Sequence, residues 1–230
     1  MAQLAAVLGS SIAKKYTMAL SGLFLVVFLL EHLYTNLLLY AGDGGLKFNE
    51  ASHEMTSSLF IRIVEVVLFA AIIMHVFQAT LLTRENAKAR PVKYAVSGVS
   101  ETSNWFSRNM GLTGSLILFF IVVHLYNFFL PYRITGEVGD GQALTLAQCV
   151  VAALRNPVYA GLYLVSVVFL GFHLNHGFQS AFQTLGFSNK TYAPVLKMAG
   201  TGLALLFTLG YGSFPILIYS GISGLDVLPL

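Results

Sequence analysis

The chain has a single cysteine among its 230 residues. Cys149 alone cannot close an internal disulfide, hold an iron–sulfur cluster or build a structural zinc site, so any cofactor carried here needs other ligands. Charge is scarce too: Asp, Glu, Lys and Arg make up 10% of the chain against 56% hydrophobic residues, with a mean hydropathy of +0.74. That balance is too apolar for one water-soluble core of this size, and the bilayer is the expected solvent. No Gly/Ser-rich or Pro-rich linker is long enough to separate domains and no convincing internal repeat is present, so residues 1–230 are expected to form one domain. No basic residue precedes the weakly apolar run Met1–Ser11, because Lys14 and Lys15 follow it. A cleaved signal peptide is therefore not expected. The formal charge of +3 and pI near 9.0 come from dispersed basic residues, which lack the clustering of a nucleic-acid surface.

Five apolar stretches, Met18–Tyr40, Leu59–Leu82, Met110–Leu130, Val158–Phe182 and Leu196–Ser220, are each long enough to cross a hydrocarbon core, which takes roughly 20 helical residues. They lack the alternating period of a membrane barrel, and backbone groups in lipid must be satisfied within each segment, so the expected fold is an all-α integral membrane bundle of five transmembrane helices. Lys14, Lys15, Arg84, Lys88, Arg90, Lys93, Arg108, Lys190 and Lys197 fall on one side, against Lys47, Arg62, Arg133 and Arg155 on the other. This bias places the N-terminus in the cytoplasm and the C-terminus, with Asp226, outside. Between the third and fourth spans, Thr145–Leu154 reads as a short apolar helix on the membrane surface, opened by a Thr cap and ended at Asn156-Pro157.

Of six histidines, His32, His75, His124, His173 and His176 fall inside the spans, where ionisable groups are costly and mark function, while His53 lies in the outer loop between the first two. A rise of about 1.5 Å per residue from each cytoplasmic boundary puts His32 roughly 22 Å deep, His124 roughly 21 Å, His75 roughly 13 Å and His173 roughly 16 Å. Two matched pairs result, as two stacked bis-histidine sites require. His176, three residues beyond His173 and roughly 12 Å deep on the same ruler, shares its face, and depth alone does not choose between them. Bis-imidazole ligation suits an electron-carrying haem iron with both axial positions filled. Zinc is a poorer fit, since it wants four ligands at one level. Ala71 and Ala79 beside His75, and Gly177 beside His173, leave room for a flat ring, and Phe28, Phe120, Phe128 and Phe169 stand one turn from other ligands and would wall it. The plainer reading of those small and aromatic residues is ordinary helix packing.

Glu31-His32-Leu33 with Asn36, Met74-His75-Val76, Val123-His124-Leu125, and Phe172-His173-Leu174-Asn175-His176-Gly177 with Ser180 resemble the cytochrome b membrane anchor of succinate:quinone oxidoreductase, in its single-subunit, di-haem branch. The likeness extends over nearly the whole chain, including Phe48-Asn49-Glu50 with His53 and the run Arg108-Asn109-Met110-Gly111-Leu112-Thr113-Gly114. It implies two haem b groups, one on His32 and His124 farther from the cytoplasm, the other on His75 and His173. It favours His173 over His176, because the family's ligand lies just ahead of a short motif ending in Gly, matched by Gly177. It further implies a bacterial inner-membrane, multi-pass subunit on whose cytoplasmic side a flavoprotein and an iron–sulfur protein dock and interconvert succinate and fumarate. Electrons pass between those subunits and a quinone, expected to be menaquinone, with room for a higher oligomer of the complex. This chain alone would not touch succinate.

Glu50, His53 and Glu54 are the candidates for the quinone headgroup, with a solvated loop as the alternative. Glu31 and Glu65 are candidate proton relays, and Glu65 is equally placed to pair with Arg62. Some fumarate-reducing members similar to this chain carry a glutamate two residues before the fourth ligand, where this chain has Gly171, which puts a proton path through that helix in doubt. Haem propionates would meet Ser21, Arg84, Arg108, His176 or Lys190, and nothing in the sequence selects among them; Thr113 and Ser115 are further hydroxyls at the depth of Ser21. Two other readings stand beside this one: a di-haem anchor for another dehydrogenase or hydrogenase, and a proton-coupled transporter without haem.

Overall fold

A computed structural model describes residues 10–89, 108–134 and 145–222. Among them every regular element is a helix: α1 (Ser11–Leu37, continued by a 3-10 turn Leu38–Tyr40), α2 (Leu46–Ser57), α3 (Leu59–Ala89), α4 (Met110–His124), which runs through a π-helical stretch Leu125–Phe129 into α5 (Leu130–Ile134), α6 (Leu146–Arg155), α7 (Pro157–Thr184) and α8 (Ala193–Tyr219). Five helical segments are long and apolar enough to cross a membrane: Ser11–Tyr40, Leu59–Lys88, Met110–Arg133, Pro157–Thr184 and Ala193–Tyr219. The described residues are thus all-helical, with multi-pass membrane character. Arg90, Lys93 and Asp226, used in the orientation argument, lie outside the described residues.

The long helices overrun the hydropathy limits. α1 begins seven residues before Met18, where the Ser10 hydroxyl accepts from Ala13 N–H at 3.2 Å and satisfies an end donor. α3 runs past Leu82 through polar Thr83, Arg84 and Glu85. Hydropathy registers only the hydrocarbon-depth part of a helix, whereas backbone hydrogen bonding carries it on into the polar layer. The Lys14 ammonium and Glu85 carboxylate pair at these extended ends.

The segment holding Glu50, His53 and Glu54 is helix rather than loop. Gly42, Gly44 and Gly45 turn the chain at positive φ, a conformation glycine adopts without steric cost. The Asp43 carboxylate then accepts from Gly45 N–H at 3.0 Å and Lys47 N–H at 3.2 Å, which opens α2. Its sequence is too polar to stand out by hydropathy, which is why it reads as loop.

α6 has the Thr145 cap expected of it, in full capping-box form: Thr145 Oγ1 accepts from Gln148 N–H at 3.3 Å and Gln148 Oε1 accepts from Thr145 N–H at 2.8 Å. Its Ala147 N–H donates to Asn49 Oδ1 of α2 at 3.0 Å, and Ala147, Cys149, Val151 and Leu154 are buried. Asn156 ends α6 and starts α7, its Oδ1 accepting from Val158 N–H at 2.9 Å, with Pro157 at the first helical position where its missing N–H costs nothing.

The chain divides into two compact units. The first comprises Met1–Phe28, Glu65–Gly114 and Phe172–Ala204, and the second Leu29–Val64, Ser115–Gly171 and Leu205–Leu230. In the first, Gly200 of α8 lets the Phe178 ring of α7 approach to where a Cβ would stand 3.2 Å away, and Asn175 Oδ1 accepts from Gln179 and from Thr201. In the second, Leu33 of α1 packs against Gly210 of α8, the Tyr211 hydroxyl donates to Leu29 C=O at 2.7 Å, and Tyr40 stacks on Phe214 at 5.0 Å. Small residues at close approaches and side-chain hydrogen bonds between helices are how helices associate where lipid offers no hydrophobic drive.

Burial pushes the Cys149 thiol up to about 11. Its folded-state value lies above the ordinary thiol value of about 8.5, so the thiolate is suppressed at neutral pH. Alkylation of Cys149 in the folded protein is expected to be slow at pH 7.5, to accelerate about tenfold per pH unit toward pH 10, and to become fast at pH 7.5 once the protein is unfolded; mass spectrometry after timed maleimide exposure measures this, and rapid labelling of the folded protein at pH 7.5 would contradict it.

Candidate functional site

Each unit contains one pair of histidines from different helices. In the first unit, His75 of α3 faces His173 of α7, with ring centroids 6.3 Å apart and planes at 65°. Behind each ring stands a hydroxyl from a third or fourth helix: Ser21 Oγ of α1 is 3.2 Å from His75 Nδ1, and Thr113 Oγ1 of α4 is 3.5 Å from His173 Nδ1. The residue after each hydroxyl is a glycine laid against the same imidazole. A Cβ at Gly22 would stand 3.2 Å from His75 Cε1, and one at Gly114 3.5 Å from His173 Cε1. The same two-residue device, hydroxyl then glycine, thus occurs at both imidazoles.

In the second unit, His32 of α1 faces His124 of α4, with centroids 5.8 Å apart and planes at 88°. The Tyr163 hydroxyl of α7 is 3.2 Å from His124 Nδ1. Phe120 and Phe128, one turn to either side, flank the His124 ring at 5.6 and 5.5 Å, and Tyr163 packs edge-on against Phe120 at 4.8 Å. Tyr211 of α8 lies 5.9 Å from the His32 ring. The π-helical stretch begins at the residue after His124. A π-bulge widens one turn and shifts the angular positions of the residues that follow it, Phe128 among them, and such bulges recur at functional sites.

Two imidazoles sharing one metal ion, with bonds of about 2 Å and about 1.1 Å from nitrogen to ring centre, have centroids roughly 6.2 Å apart. The first pair, at 6.3 Å, is close to that spacing and the second, at 5.8 Å, is tighter. At His75, His173 and His124 the Nδ1 atom is engaged by a hydroxyl, so Nε2 is the nitrogen that would serve a metal. Among the described residues no three His, Cys, Asp or Glu side chains converge as a zinc-type centre would need. The donor set is one neutral imidazole from each side, which fits a group that supplies its own equatorial ligands, as a haem does.

Of the other residues singled out by sequence, His176 lies one turn from His173, and the ring facing His75 is that of His173. Gly177 has open space where a Cβ would stand. Glu50, His53 and Glu54 are exposed on α2; Glu50 and Glu54, with Leu38, Lys47 and Ala51, line an open concavity of about 230 Å³ that does not include His53. Arg84 and Arg108 are exposed at helix ends, and Lys190 is exposed in the turn between α7 and α8. Glu31, also exposed, accepts from the Thr35 hydroxyl at 2.7 Å. Sequence reasoning missed Gly22 and Tyr163. The Ser21-Gly22 step in mid-span was the available signal for the first, while Tyr163 looks like any span aromatic.

Comparison with known proteins returned no matching family model, no matching curated protein and no matching solved structure.

The glycine contacts generate a stability test. Gly22→Val is expected to displace the His75 ring and lower stability by about 1–3 kcal/mol, whereas Gly202→Val, at a position with nothing within 4 Å, is expected to change it by no more than about 0.5 kcal/mol. Thermal denaturation in detergent compares them, and equal midpoints would remove the close-approach role of Gly22.

Proposed function

We propose that this chain is the di-haem cytochrome b membrane anchor of a succinate:quinone oxidoreductase, seated in a bacterial inner membrane with its N-terminus in the cytoplasm and its C-terminus outside. The observation that carries the reading is the two imidazole pairs, His75 with His173 at the spacing of a shared axial metal and His32 with His124 about half an ångström tighter. The ordered His motifs on four spans and their resemblance to the family supply the rest.

In this reading His75 and His173 hold the haem nearer the cytoplasm, and His32 and His124 the farther one. A bis-imidazole haem, when bound, takes up and gives back single electrons with no open coordination position. The chain's own residues fix the two pairs of rings, exclude water from around His124 with Phe120, Phe128 and Tyr163, and present a basic cytoplasmic face for the flavoprotein and iron–sulfur subunits. Charge carried between the faces works with or against the membrane potential at about 2.3 kcal/mol per charge per 100 mV, so the direction of turnover is tied to voltage. A quinone, expected to be menaquinone, would be served near the outer face, where Glu50 and Glu54 share a concavity.

The test is a reduced-minus-oxidised spectrum of the purified protein and four single variants, with identification of co-purifying subunits. His32→Ala and His124→Ala are expected to remove one spectral component, His75→Ala and His173→Ala the other, and His176→Ala neither. Absence of haem absorbance in the wild type would leave the transporter reading standing instead. Haem with soluble partners that are not succinate-oxidising would favour the anchor of another dehydrogenase or hydrogenase.

A further inference from the structure

Ser21 and Thr113 stand in equivalent positions in the first unit. Each hydroxyl touches the imidazole of another helix and also the backbone carbonyl three residues earlier on its own: Ser21 Oγ is 3.1 Å from Met18 O, and Thr113 Oγ1 is 3.2 Å from Met110 O. A hydroxyl owns one hydrogen. A backbone carbonyl can only accept, so that hydrogen belongs to the carbonyl contact, and the hydroxyl oxygen is left to accept from the ring. The proton of each imidazole therefore sits on Nδ1, where the Met18 carbonyl is a second acceptor for the His75 ring, and each Nε2 keeps its lone pair. The opposite assignment would break both carbonyl contacts. Gly22 and Gly114, against the Cε1 edges, keep the rings from sliding off these hydroxyls.

We propose that Ser21 and Thr113 are paired positioning residues that fix both imidazoles of the His75/His173 site in the Nδ1–H form and, by accepting those protons, make the rings stronger donors to a bound iron. This rests on the haem reading and goes beyond it, since it gives Ser21 a role at the ligand rather than at a propionate. An acceptor on Nδ1–H raises the basicity of a ligating imidazole, and such outer partners are worth about 10- to 100-fold in metal affinity. Stronger donation favours the oxidised iron, so loss of the acceptor moves the midpoint upward. In the second unit Tyr163 takes the corresponding place at His124, from a different helix and with a phenol.

The experiment is a potentiometric titration of the purified full-length chain, reading each haem's midpoint, together with low-temperature electron paramagnetic resonance and haem retention against competing apomyoglobin. Ser21→Ala and Thr113→Val are each expected to move the midpoint of the His75/His173 haem to more positive potential, to shift its resonance signal, and to speed its loss about tenfold. The other haem should stay unmoved. Ser21→Thr and Thr113→Ser, which keep the hydroxyl, should retain wild-type values, and Tyr163→Phe should act on the other haem alone. Unchanged midpoints in a wild-type-like di-haem protein would overturn this inference and leave the haem reading intact, as would equal losses in hydroxyl-keeping and hydroxyl-lacking variants. A wild type without haem would overturn both.

Discussion

Everything in this protein turns on imidazoles made to face one another inside an apolar helical assembly. A buried polar ring is tolerated only when its nitrogens are satisfied, because an unpartnered polar group away from water costs several kcal/mol of order. Here Nδ1 of three of the rings is met by a hydroxyl, from Ser21, Thr113 and Tyr163, and each ring has a second imidazole about 6 Å away. Rings fixed on one side and paired across the helices are what the proposed haem sites require, and the distance between them is the observation that bears on that reading.

The helices make this arrangement affordable in lipid. Each backbone is satisfied along its own axis, so the side chains alone carry the contacts between helices. In the first unit those contacts are Gly200 under Phe178 and the Asn175 fork to Gln179 and Thr201. In the second they are Leu33 against Gly210 and the bond from Tyr211 to the Leu29 carbonyl, which brings the Tyr211 ring beside His32. The residues that pack the helices are thus neighbours in sequence of the residues that hold the rings. Packing and site geometry are set by the same few turns of helix.

Hydropathy located all five long helices, because twenty apolar residues have few other readings. It misplaced their ends, since Lys14, Arg84 and Glu85 are polar yet remain helical, and Lys14 with Glu85 join as a pair. It passed over α2, whose start depends on glycine φ angles and an Asp43 turn that leave no trace in apolarity. The partners among the histidines were legible through helical rise, which converts position along the chain into depth. The choice of His173 over His176 came from the family resemblance and not from helical rise, because residues three apart share a face; the ring paired with His75 is that of His173. The hydroxyls were visible as residues but not as partners, for Ser and Thr in membrane helices usually bond only their own backbone. The π-helical turn after His124 was invisible altogether, as Leu125–Phe129 has the composition of ordinary helix.

The central claim is that each imidazole pair grips one haem iron. Quantitative pyridine haemochrome analysis of the purified chain, set against protein mass from amino-acid analysis, tests it most directly. Two haem b per polypeptide is the predicted result, and a chain that folds and purifies with none, or with a metal ion in place of haem, would contradict it.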